Sequence, residues 1–246
     1  MQSHSETVLK TTNLVKTFGT RQALTGLDLE IKAGENFGLI GPNGSGKTTL
    51  MRLLVGIMRP TSGSVEVLGR KPPHLEIKRS VGYMTQGEAI YPDLSVEENV
   101  AFFASLYAMP RKKSVGRIQE LLDLVELSNR RKSLAGNLSG GMKRRLSLAC
   151  AMVHEPRLLL LDEPTAGVDP ELRRAFWEHF NELQRKGVTL LITTHHLDEA
   201  VHCDRLGLIR DGKLIALGKP GELLDQSKCS NLEEAFMCFA AGEEPK

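Results

Sequence analysis

An α/β fold with a largely parallel sheet covered on both faces is predicted by three features of this 246-residue chain. An apolar run, Phe37-Gly38-Leu39-Ile40, leads into the loop Gly41-Pro42-Asn43-Gly44-Ser45-Gly46-Lys47-Thr48-Thr49 and then into a helical pattern. A second apolar run, Leu158 to Leu161, ends in Asp162-Glu163-Pro164. Around these two, strand-like runs alternate with amphipathic stretches of helical period.

The first element sets the chemistry. Leu50, Leu53, Leu54 and Ile57 recur at i, i+3, i+4 and i+7, one face of a helix. Strand, glycine-rich loop and helix are the context a phosphate-binding loop requires. Gly41, Gly44 and Gly46 let the backbone turn tightly and aim its N–H groups into an anion site at the helix N-terminus. Lys47 is placed to reach β- and γ-phosphates, and the Thr48 hydroxyl is a Mg²⁺ ligand. A glycine-rich turn could match by chance in roughly one chain of this length in a hundred. The flanking strand and helix favour nucleotide binding.

Upstream, Val8-Leu9 and the alternating Leu27, Leu29 and Ile31 read as strands, with Ala33-Gly34-Glu35 as a turn. Phe18, in Lys16-Thr17-Phe18-Gly19, is by composition alone an ordinary core aromatic. Downstream, Ser64 to Leu68 is a short strand, Pro72-Pro73 marks a loop, and Val81 to Gln86 is a strand ending in a polar residue. The character then turns helical as far as about Arg157. Ser95-Val96-Glu97-Glu98 is a capping box opening a helix through Leu106. Ile118, Leu121, Leu122 and Val125 give a second helix. Ser139 opens a third, with Met142, Leu146, Ala149 and Val153 facing inward.

Alternation returns after Arg157. Leu172, Phe176, Phe180 and Leu183 line one helix face, closed by Gly187. Val188 to Thr193 is a strand ending at His195. Leu206 to Ile209 and Lys213 to Leu217 flank Asp211-Gly212, a strong hairpin signal. A short helix over about Leu232 to Phe239 precedes a charged tail.

Composition bounds the partners. Hydrophobic content of 41% and charged content of 25% suit a globular chain with a sizeable core, and the net charge of +2 is too mild to argue for nucleic acid. The basic clusters at Arg111–Lys113, Arg130–Lys132 and Lys143–Arg145 carry no interleaved aromatics to stack on bases. Cys150, Cys203, Cys229 and Cys238 form no C-x-x-C pair and read as reduced thiols of a cytosolic protein. Met1 to Lys10 lacks an apolar segment, so no secretory signal is expected. Val100 to Met109 and Leu158 to Leu161 are too short to cross a bilayer, so any membrane role is expected to come through a partner.

Two further constellations carry chemistry. Asp162 and Glu163 follow a strand, where open α/β folds place their ligands. In a phosphate-loop protein the first acid holds Mg²⁺ through water and the second polarises the attacking water; without the loop, a solvated turn would explain them as well. Leu138-Ser139-Gly140-Gly141-Met142 is an N-cap on its simplest reading, and also a second anion site. One way to reconcile two such sites is that Ser139 serves the nucleotide of a second subunit in a two-fold dimer.

Taken in order, five motifs resemble the ATP-binding cassette (ABC) ATPase family: Gly41 to Thr48, Gln86, Leu138 to Met142, Leu158 to Glu163, and His195. Ala166-Gly167-Val168-Asp169 and Phe18 match further family positions, and the likeness runs from about residue 8 to 220. It implies a P-loop NTPase core with a parallel sheet, an N-terminal antiparallel β subdomain and an inserted helical subdomain. The cassette would be a single domain over residues 8–240, with the helical part at about 93–155 and a charged tail at 241–246.

By the same resemblance, Phe18 would stack on adenine and the Gly41–Thr49 loop would cradle the phosphates of ATP. Thr48, Gln86 and Asp162 would bind Mg²⁺. Glu163 would be the general base, His195 would contact the γ-phosphate, and Lys47 would complete the catalytic set. Ser139, Gly140 and Gly141 would close the site across a dimer, with Asp169 linking the two sites. The chain would pair with itself or a second ABC subunit, on the cytoplasmic face of a membrane, and drive a separate permease. Phe18 in place of tyrosine keeps the ring face, Met142 replaces the usual glutamine, and residues 166–168 depart from the common pattern; none removes a catalytic group. Asp162 to Pro170, Thr194 to Ala200 and Leu232 to Phe236 resemble cassettes exporting drugs, lipids or polysaccharides. The alternative is a soluble ABC ATPase acting on ribosomes or nucleic acid. Such relatives usually carry two cassettes or a long coiled-coil or zinc-hook insertion, and neither is visible here. A phosphate-loop kinase or GTPase does not account for Leu138 to Gly141.

Overall fold

The computed structural model describes residues 6–87 and 89–241; of the tail expected at 241–246, Ala241 closes the last helix and 242–246 lie outside the described residues. Strands β1 (Thr7–Phe18) and β2 (Arg21–Lys32) form an antiparallel hairpin. Strand β3 (Asn36–Ile40) then enters a second sheet and runs through the glycine-rich loop into α1 (Lys47–Leu54). Strand β4 (Ser62–Val67) returns to the free edge of β1, giving the order β2-β1-β4. Helix α2 (Leu75–Ser80) precedes β5 (Val81–Met84). Three helices follow: α3 (Val96–Leu106), α4 (Arg111–Leu124) and α5 (Gly140–Met152). The chain continues through β6 (Leu158–Asp162), α6 (Pro170–Arg185), β7 (Thr189–Thr194), β8 (Arg205–Arg210) and β9 (Lys213–Gly218). Helices α7 (Pro220–Ser227) and α8 (Leu232–Ala241) end the described chain.

The larger sheet has the order β5-β6-β7-β3-β8-β9 and is parallel except for β9, which pairs antiparallel with β8 across Asp211-Gly212. Both central residues of that turn have positive φ, 48° and 76°, matching the right-handed twist of the hairpin. Strands buried on both faces read as continuous apolar runs. In β6, Leu158 and Leu160 pack with Phe37, Leu39 and Leu50 on one face, while Leu159 and Leu161 pack with α3, α5 and α6 on the other. Phe176 and Phe180 of α6 are fully buried there, each contributing about 1.5–3 kcal/mol of apolar burial.

Three local readings differ from the sequence expectation. Helix α1 stops at Leu54 because Gly56 turns to φ 75°, so Ile57 leaves the helix face and is 65% exposed. Strand β5 ends at Met84, two residues early, and α2 and α7 form in stretches to which the sequence pattern assigned no element. The cysteine spacing also hid a neighbourhood: folding α8 back brings Cys229 Sγ within 3.3 Å of Cys238 Sγ.

The helical stretch is tied to the sheet by a half-buried histidine. His154, between α5 and β6, stacks on Tyr107 with ring centroids 3.6 Å apart, and its Nε2 sits 3.2 Å from the Val81 carbonyl. Burial pushes the His154 pKa down to about 4. The unfolded chain takes up that proton near pH 6.5. Between those values the unfolded state binds more protons, so stability is intact above about pH 6.5 and falls as the pH drops towards 4. Thermal melts across this window should show the parent losing about 2 kcal/mol more than His154→Gln, allowing for partial exposure. Equal losses would remove His154 as the cause.

Candidate nucleotide-binding site

The site forms where adjacent parallel strands end at one edge. Ile40 of β3 pairs with Thr194 of β7, Asp162 of β6 with Thr193, and Met84 of β5 with Leu161. The residues that follow these strand ends (the loop from Gly41, then Gln86, Glu163 and His195) are thereby gathered at the carboxyl edge of the sheet.

The loop is shaped by contacts that exclude side chains. A Cβ on Gly41 would meet the Ile209 carbonyl at 2.1 Å, and one on Gly46, whose φ is 110°, would meet the Ala23 carbonyl at 2.6 Å. Pro42 is exposed on the turn, Ser45 is buried beneath it, and Gly46 caps α1. The first turn of α1 carries no acidic residue, which leaves its positive dipole end available to an anion.

A cavity of about 400 Å³ opens in front of the loop. Phe18 lines it and is 44% exposed, so the ring is not the core aromatic that composition alone suggested. Asn43, Gly44, Gly46, Lys47, Thr48 and Thr49 line the same space, with Gln86 and Glu163 beside them. Arg21 and Ala23 of β2 also border it, and nothing in their local sequence marked them.

Lys47 is only 5% exposed, and its Nζ donates to the carbonyls of Gly41 at 2.6 Å and Pro42 at 3.1 Å. Burial lowers its pKa, while the nearby Glu163 and Asp162 carboxylates oppose that shift. Glu163 Oε1 lies 3.9 Å from Lys47 Nζ and 3.3 Å from His195 Nδ1. The carboxylate is therefore held between a cation and an imidazole. Its backbone is in the left-handed region, φ 54°, a strain for a non-glycine residue that surrounding bonds must hold. The Glu163 N–H donates to the Thr193 carbonyl at 3.0 Å and to Thr193 Oγ1 at 3.1 Å.

Asp162 is 1% exposed and accepts a 2.6 Å hydrogen bond on Oδ1 from the Thr193 hydroxyl. Its Oδ2 is buried with no hydrogen-bond partner among the described residues. A buried, half-satisfied carboxylate is costly unless a cation completes it. Thr48 Oγ1 and Gln86 Oε1 lie 3.5 Å apart on the cavity wall. This all-oxygen donor set fits a hard divalent cation.

Ser139, Gly140 and Gly141 do not line this cavity. Ser139 caps α5, its hydroxyl accepting from the Met142 N–H at 3.3 Å. Gly140 and Gly141 border a separate space of about 330 Å³ with Gln86, Ala166 and Gly167. Asp169 caps α6 through a 3.0 Å bond from the Leu172 N–H. The loop at 41–49 and the segment at 139–141 thus face different spaces within one chain.

Sequence reasoning also passed over Arg144. From α5 its guanidinium donates to the Glu163 carbonyl at 2.9 Å through Nε, to the Asp162 carbonyl at 3.1 Å, and to the Gln86 carbonyl at 3.4 Å. No motif pattern predicts such a contact; it requires the fold.

The model for the ABC transporter family matches residues 24–166. The probable multidrug ABC transporter ATP-binding protein YbhF of Escherichia coli strain K12 is 43% identical over 239 residues, covering 94% of this chain and 41% of YbhF. The chain thus spans less than half the length of that relative. A Nod factor export ATP-binding protein I of Burkholderia lata is 40% identical over 216 residues, covering 87% of this chain and 71% of that protein. Among solved structures, an ATP-binding subunit of an ABC transporter superposes with a TM-score of 0.88 at 27% identity, covering 95% of this chain and 99% of the other. The dimeric, post-hydrolysis cassette MJ0796 bound to ADP and Pi superposes at 0.79 with 27% identity, covering 86% and 98%.

Proposed function

Because the chain belongs to the ABC transporter family, we propose that it binds and hydrolyses ATP to drive a separate membrane permease. The observation that carries this reading is the single cavity shared by Phe18, the loop from Asn43 to Thr49, Gln86 and Glu163. Phe18 offers an aromatic face for adenine, and the loop and α1 offer N–H groups and Lys47 for the phosphates. Glu163 is the group that orients and deprotonates the attacking water, with His195 beside it to hold the γ-phosphate end. Thr48, Gln86 and Asp162 would hold Mg²⁺, a role supported by the unpartnered Asp162 Oδ2. When bound, the ion would neutralise charge on the β- and γ-phosphate oxygens.

Two chains are proposed to close around two ATP molecules. Ser139, Gly140 and Gly141 lie outside their own chain's cavity and would complete that of the second copy. The dimeric form of the cassette MJ0796 supports that arrangement. ATP would then bind the interface together through hydrogen bonds from both chains, and loss of phosphate would release it. Export is favoured over import by the likeness to a probable multidrug protein and to a Nod factor export protein.

Adenine stacking should be measurable. Phe18→Ala is expected to raise the KM for ATP by roughly tenfold, the scale of one lost base–aromatic stack, with kcat little changed and Phe18→Tyr near the parent. An unchanged KM in the alanine variant would remove Phe18 from the nucleotide.

Among the described residues, no helix is long and apolar enough to cross a membrane. The transport reading is therefore tested by affinity purification of the tagged chain from detergent-solubilised native membranes. A stoichiometric polytopic membrane protein is expected in the eluate. Recovery with ribosomes or DNA, or alone in the soluble fraction, would overturn transport and leave ATP hydrolysis standing.

A further inference from the structure

We infer that Arg144 is a positioning residue that ties Glu163 of one ATP site to the helix serving the opposite site. Arg144 lies on α5, whose first residues are Gly140 and Gly141. Its guanidinium reaches the main chain of Asp162, Glu163 and Gln86, three residues of its own chain's nucleotide site. A second terminal N–H also meets the Glu163 carbonyl.

Those bonds fall where the backbone most needs holding. Glu163 keeps φ 54° only while its flanking peptide groups are fixed. Thr193 fixes the N–H side, and Arg144 fixes the carbonyl side. Bifurcated, charge-assisted bonds from a planar guanidinium fix direction as well as distance. Arg144 also borders the space shared with Gly140, Gly141 and Gly167, so one planar group stands between the first residues of α5 and the carbonyl of the proposed base.

The coupling rests on the proposed two-chain site. There, α5 of each chain presents Ser139, Gly140 and Gly141 to the other chain's ATP. A shift of α5 on closure is carried through Arg144 to the carbonyl of Glu163. Occupation of one site thus sets the base of the other, and hydrolysis by the paired chains becomes cooperative in ATP.

The test is steady-state ATP hydrolysis by Arg144→Lys, Arg144→Gln and Arg144→Ala, with ATP affinity measured separately on each. For the glutamine and alanine variants, kcat is expected to fall about tenfold or more with the ATP affinity within about twofold of the parent. The Hill coefficient should drop to about 1 in the same variants, with lysine intermediate. Added millimolar guanidinium should raise the rate of Arg144→Ala and leave the parent unchanged. An unaltered kcat and Hill coefficient in Arg144→Ala would overturn the inference. So would parallel losses of rate, ATP affinity and melting temperature without guanidinium rescue, which would make Arg144 merely structural. Light scattering on Glu163→Gln in Mg-ATP separates the two readings. Dimerisation with unaltered Arg144 variants sinks the Arg144 role alone, whereas a Glu163→Gln chain that stays monomeric sinks the shared site and the coupling together.

Discussion

Glu163→Gln is expected to abolish steady-state ATP hydrolysis and to leave ATP binding intact. The amide keeps the shape of the carboxylate and loses the charge that accepts a proton from water. A positioned general base contributes roughly 10²- to 10⁴-fold, so at least a hundredfold loss in kcat is expected. Affinity should hold because the main chain that shapes this corner is anchored elsewhere, on Thr193 and Arg144. Lys47, 3.9 Å from Glu163 Oε1, would also lose an opposing carboxylate, which if anything favours its turning towards the phosphates. Phosphate release and a nucleotide titration on the same preparation check the two halves. Turnover within tenfold of the parent would take the base role away from Glu163.

Lys47→Ala is expected to produce the complementary loss, of ATP binding itself. Its ammonium sits on a nearly closed wall of the cavity and, without nucleotide, satisfies the Gly41 and Pro42 carbonyls. Bound phosphate would compete for the same donors with a stronger, charge-assisted bond. Removing a buried charge partner of this kind costs about 3 kcal/mol, or roughly a hundredfold in Kd. Calorimetric titration with Mg-ATP reads this directly. Lys47→Arg is expected to bind poorly as well, because the planar guanidinium does not replace a compact ammonium in this turn. An alanine variant with parent-like affinity would mean that the loop's backbone N–H groups alone hold the phosphates.

What the sequence made legible was local. The glycine-rich loop, the leucine run ending in two acids, and the Asp211-Gly212 hairpin are written in residues next to one another, and each sits in the structure where its local chemistry puts it. The Ser95 capping box is a clear case: its two reciprocal bonds, 2.8 and 3.2 Å, join residues three apart. Arg144 and Thr193 were invisible because their partners lie on other elements, 19 residues away for Arg144 to Glu163 and 31 for Thr193 to Asp162. Phe18 was ambiguous by composition and only a family resemblance pointed to it; exposure on the cavity rim distinguishes it from a core ring. Helices α2 and α7 are short, with no apolar period long enough to register, and they form because the strands beside them need covering. Cys229 and Cys238 meet only because α8 folds back on the turn before it.

The shared ATP site is tested most directly by mixing two inactive chains, Lys47→Ala and Ser139→Arg, and measuring hydrolysis. If each site combines the loop of one chain with the 139–141 segment of the other, a mixed dimer carries both defects in one site and leaves the other intact. Activity should then reappear on mixing, above the sum of the two variants alone but below the parent, because the disabled site no longer sets the base of the intact one. A mixture no more active than that sum would mean that each chain completes its own site, contradicting the two-chain account.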